Sequence, residues 1–109
     1  MIKIKFFNTN LNLNQENIFT GIECSGHSGY SQRGSDIICA GVSALMNALV
    51  LGLENIAEIN INRSAALMRV TWPVNESERI AILTHTIRDS LEAIANDNPR
   101  YVKIISEVK

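Results

Sequence analysis

Ile2, Ile4 and Phe6 alternate with Lys3, Lys5 and Phe7 at the start of the chain. This is the two-residue period of a strand with one buried face. The Asn-rich stretch 8–17 carries neither a strand nor a helix period and reads as a loop or hairpin connection. A second strand is predicted over Ile18–Ser25, with Ile18, Ile22 and Cys24 on the core face. Glu23, Ser25 and, where extension persists, His27 fall on the opposite parity.

The segment from Gly26 to Ser35 contains Gly26, Gly29 and Gly34 and no apolar period, which predicts a mobile surface loop. At Asp36 the pattern changes. The run DIICAGVSALMNALVLG places Ile38, Val42, Leu45 and Leu49 at helical spacing, and Gly52 offers a C-terminal stop. Further strands are expected at Ile56–Asn62 and Ala65–Trp72, the latter with Met68, Val70 and Trp72 inward, Arg69 and Thr71 outward, and Pro73 as terminator.

A second helix is expected from Glu76 to Asn96, with Ile80, Leu83, Ile87, Leu91 and Ile94 on one stripe and Glu78, His85, Arg88 and Glu92 on the other face. Tyr101–Val108 then alternates as a fifth strand. The order ββαββαβ predicts a two-layer α+β domain in which both helices pack on a mainly antiparallel sheet. Phe7, Leu67, Tyr101 and Ile105 fall on the other sheet face, and together they suggest an apolar patch covered in a homodimer.

Composition narrows the partners. With 109 residues, one domain spanning 1–109 is expected. Ten basic against eleven acidic residues leave a formal charge of -1, so no polybasic field points to nucleic acid. No run approaches the ~20 apolar residues of a membrane span. The opening residues lack the apolar core of a signal peptide, which predicts a cytoplasmic protein with reduced thiols. Cys24 and Cys39 therefore need separate explanations.

The segment SGHSGYSQRGSDIICAGVSAL places His27 at a strand end and Cys39 in the first turn of a helix. A free thiol, with pKa about 8.5, is mostly protonated at neutral pH, and the thiolate is the nucleophile. With Asp36 as N-cap, Cys39 sits among amides that have no intrahelical partner. The helix dipole there supplies only about 0.3–1 kcal/mol towards a negative charge, so a nearby cation is needed. His27 suits that role, as electrostatic partner to the thiolate and as general acid to the leaving amine. Backbone N–H groups at the helix start, that of Cys39 and a neighbour, are candidates for holding the oxyanion. Spacing alone leaves open the plainer account of a small buried helix cysteine and an idle loop histidine.

The same segment resembles the signature of the ribosomal-processing cysteine proteases. Gly26 and His27, then Gly29 and Tyr30, then Gly34, Asp36, Ile37, Cys39, Ala40, Val42, Ser43 and Leu45 match that pattern. Ser28, Ile38 and Gly41 depart from it by small changes. The resemblance implies a cytoplasmic endopeptidase that removes a short N-terminal extension from large-subunit ribosomal protein twenty-seven, after a hydrophobic pair rich in phenylalanine, in support of ribosome assembly. It also implies a homodimer and a loop between the catalytic residues that closes over the substrate; no cofactor is expected. His27 and Cys39 are carried over as catalytic, and Gly26, Tyr30, Asp36 and Ser43 as supporting residues.

Asp36 reads either as a helix cap or as a third member that orients His27. Ser43, one helical turn after Cys39, reads as a substrate contact or as a small packing residue. Tyr30 is either a substrate contact or a loop aromatic packed on the domain. Cys24 reads as core, His85 as solvated surface, and no spacing supports a metal site. Two other classes remain as alternatives: a non-catalytic ribosome-assembly or peptide-binding module, which needs neither His27 nor Cys39, and a redox sensor, which needs a resolving cysteine beside Cys39.

Overall fold

The computed structural model describes residues 1–10, 17–27, 29 and 36–108. Five strands and two helices follow in the order expected: β1 Ile2–Thr9, β2 Ile18–Ser25, α1 Ile37–Leu53, β3 Asn60–Ser64, β4 Leu67–Thr71, α2 Ala81–Asp97 and β5 Val102–Val108. The sheet order is β3-β4-β2-β1-β5. All neighbouring pairs are antiparallel except β1 with β5, which run parallel.

Connectivity explains why both helices share one face. α1 links β2 to β3, and α2 links β4 to β5; each pair of linked strands is parallel. The two crossovers run in opposite senses both along the strands and across the sheet. Right-handed connection therefore puts both helices on the same side. The core between the layers accordingly draws on Ile4, Ile22 and Val70 from the sheet, Met46 and Leu49 from α1, and Ile87 and Leu91 from α2.

Four local outcomes differ from the sequence expectation. In β2 the pairing slips between Phe7 and Asn8, so that Thr20 is an extra residue and Phe19, not Ile18, turns into the core. Phe19 then packs edge-on against both Phe6 and Trp72. Gly52 does not stop α1, which continues to a buried Leu53. Its value is space, because a Cβ at Gly52 would lie 2.5 Å from Leu83 Cδ2 on α2.

The third difference is β3, which begins at Asn60 instead of Ile56. The N–H groups of Ile56 and Ala57 both close on Leu53 O, which extends the end of α1 through the expected strand start. Beside it, where Arg79 donates to Ile56 O, a 3-10 turn at Val74–Glu76 precedes α2, so the helix starts at Ala81 and not at Glu76.

On the open face of the sheet, Glu23 is 4% exposed and is held by Arg69 and Lys5. Phe7 is buried there beneath the Arg69 guanidinium. Leu67 and Ile105 are half-buried, and Tyr101 packs against the core cluster. The expected apolar patch is thus largely covered within the chain itself. Among the described residues, no helix is long and apolar enough to cross a membrane.

Candidate active site

Gly26 ends β2 with a positive φ of 85°. A side-chain carbon at that position would overlap the carbonyl oxygen of Met1. Glycine is thus required twice over, for the dihedral and for the close approach. Its N–H donates to Ala66 O at 3.0 Å, which ties the end of β2 to the tip of the β3–β4 hairpin. Because the chain turns here, His27 loses the strand parity expected of it. It does not continue the Glu23 face but lines a pocket on the helix side of the sheet.

That pocket, of about 280 Å³, gathers His27, Cys39 and Ser43 from the sequence reading, with Gly26 at its rim. Its apolar lining includes Ile2, Val42, Met46 and Met68. The floor follows from register: Cys24 pairs with Met68, and Met68 pairs with Arg63, one lateral row across β2, β4 and β3. The α1 wall is a stripe at one-turn spacing, Cys39, Ser43 and Asn47. His27, Ser43 and Asn47 are exposed, and Cys39 is half-buried.

Asp36 is the N-cap of α1. Its Oδ1 accepts from the N–H groups of Ile38 at 3.0 Å and Cys39 at 3.1 Å. Its Oδ2 accepts from Cys39 Sγ at 3.3 Å. The Cys39 N–H, expected as an oxyanion donor, is therefore engaged by the cap in this state. The next N–H, that of Ala40, goes to Asp36 O at 3.1 Å.

The two cysteines differ in environment, and neither is in a disulfide. Cys24 is buried on the core face as expected, although it also reaches the pocket. Burial, with a contribution from the charge of Glu23, pushes its thiol up to about 12. It stays protonated and unreactive near neutrality. Among the described residues no group of three His, Cys, Asp or Glu side chains is placed to hold a metal.

Asn47 and Arg63 were not anticipated. Asn47 lies one further turn beyond Ser43, so extending the Cys39–Ser43 step would have found it. Arg63 reaches the pocket only through β3–β4 pairing, which its local sequence does not signal. Tyr30, and the expected loop apart from Gly26, His27 and Gly29, lie outside the described residues. His85 is exposed, with its ring edge-on to Phe19 and beside Arg88.

The fold has solved counterparts. A ribosomal processing protease Prp from Staphylococcus aureus, crystallised with a covalently linked product peptide, aligns with TM-score 0.83 at 20% identity over 98% of this chain and 100% of that one. The same protease with a substrate peptide gives TM-score 0.78 at 19% identity over 98% and 100%. SMU.848 from Streptococcus mutans gives 0.75 at 22% identity over 100% and 96%. No curated protein matches the chain. At these identities the structures speak to the fold, whereas the sequence model of cysteine protease Prp matches residues 1–103. A match over nearly the whole chain settles membership: this protein belongs to the Prp family of cysteine proteases.

Proposed function

We propose that this cysteine protease processes a ribosomal protein, using Cys39 as nucleophile and His27 as its acid–base partner. The observation that carries the reading is one apolar-lined pocket that holds a half-buried Cys39 and an exposed His27, while the other cysteine is protonated in the core. In the reaction, Cys39 Sγ attacks the scissile carbonyl carbon and His27 takes the thiol proton. The C–N bond then breaks, the proton passes to the leaving amine, and a thioester remains on Cys39. Water attacks that thioester with His27 as base, releasing the new carboxyl group and restoring the thiol.

The substrate proposed is large-subunit ribosomal protein twenty-seven carrying an N-terminal extension that ends in aromatic residues. The apolar pocket lining suits such side chains, and the Staphylococcus aureus protease of the same fold is a ribosomal processing enzyme. Gly26 shapes the strand end, Asp36 caps the helix, and Ser43 stands on the pocket wall as a contact for the peptide. Tyr30 is proposed as a further contact, on the resemblance alone. The protein is proposed to act in the cytoplasm without a cofactor. It is also proposed to act as a homodimer, a state that rests on the resemblance and not on the largely covered face around Phe7.

The test is cleavage of a peptide spanning the extension junction, with the products identified by mass. A single cut after the aromatic pair is expected. No cut, or cuts indifferent to replacement of the aromatics by serine, would contradict the reading. Light scattering at working concentration decides between one copy and two.

A further inference from the structure

We propose that Asp36 is a latch on the resting nucleophile, a positioning residue that must release Cys39 before the peptide can be attacked. The proposal rests on Cys39 being the nucleophile as above. One carboxylate holds two groups the reaction needs. Oδ2 accepts the Cys39 S–H at 3.3 Å, and Oδ1 accepts the Cys39 N–H at 3.1 Å.

Both bonds oppose the chemistry. Attack requires the sulfur proton to pass to His27, and while Asp36 accepts that proton the sulfur is oriented towards the carboxylate. The developing oxyanion needs donors close to the attacking sulfur. The Cys39 N–H is such a donor, and it is occupied. A rotation of the Asp36 side chain frees both groups together. The substrate carbonyl oxygen then takes the place of Oδ1 on the Cys39 N–H, and His27 takes the place of Oδ2 on the thiol. Peptide binding thereby assembles the site, and the thiol stays guarded against other electrophiles until it does.

Asp36→Asn tests this without removing the cap, since asparagine caps a helix about as well as aspartate. Its carbonyl oxygen can keep the two amides, while its amide nitrogen cannot accept the S–H. The measurement is iodoacetamide labelling of the peptide-free protein at pH 7, with the site located by mass mapping and folding followed by Tm. Labelling of Cys39 is expected to be about three- to tenfold faster than in the wild type, the size of one lost hydrogen bond. The same acceleration is expected in a His27→Ala background, because the carboxylate holds the thiol itself. Asp36→Ser, which caps with its single oxygen, should behave likewise.

Unchanged or slower labelling in variants with wild-type Tm would overturn the latch. Slower labelling that also depends on His27 would make Asp36 a third member of the catalytic set instead. Failure of the nucleophile assignment would look different. Peptide cleavage would then survive Cys39→Ala, whatever the labelling rates.

Discussion

A side-chain carbon on Gly26 would lie 2.4 Å from the carbonyl oxygen of Met1, and Gly26 holds a backbone conformation that L side chains rarely adopt, φ +85°. Met1 cannot retreat freely, because the following residue is fixed by Ile2 N–H donating to Tyr101 O at 2.8 Å. Gly26→Ala is therefore expected to destabilise the fold by about 1–3 kcal/mol and to displace His27 from the pocket. Thermal unfolding with peptide cleavage checks both. A fully active variant with unchanged Tm would contradict the account.

The Cys24 thiol gives the protein an alkaline liability. Its proton is held in the folded state up to about 12 and released from the unfolded chain near 9.0. Between those values the unfolded state binds fewer protons, so stability falls as pH rises. Below 9.0 the thiol is protonated in both states and the effect is absent. Urea unfolding from pH 8 to 10.5 should show a steeper loss in the wild type than in Cys24→Ala. Equal slopes would place the alkaline loss elsewhere.

Ser43 is exposed on the pocket wall one turn from Cys39. Ser43→Leu should leave Tm near the wild-type value, since nothing buried changes, yet fill space the peptide needs. A loss of about tenfold or more in kcat/KM for the extension peptide is expected, carried mainly by KM. Unimpaired cleavage would show that the peptide does not run along this stripe of α1.

Much of this architecture was legible because burial writes a period into sequence. Ile2, Ile4 and Phe6 gave β1, and the Ile80–Ile94 stripe gave α2. The start of β3 was misplaced by four residues because it is an edge strand exposed at every position, so no alternation marks it. The bulge at Thr20 and the turn at Gly26 each reverse a parity, and neither is visible in hydrophobic pattern. Parity counting therefore put Ile18 in the core in place of Phe19, and the extension past Ser25 on which the expected parity of His27 depended does not persist. The Asp36 cap was readable from its place before α1. Its hold on the Cys39 sulfur required the folded backbone.

The central claim is that Cys39, and not Cys24, attacks the peptide. Its most direct test is the rate at which Cys39→Ala and Cys24→Ala cleave the extension peptide under single-turnover conditions, with both variants shown to be folded. The account predicts that Cys39→Ala loses cleavage by about 10³-fold or more, while Cys24→Ala keeps it within about threefold. Cleavage that persists in folded Cys39→Ala, or vanishes in folded Cys24→Ala, would contradict it.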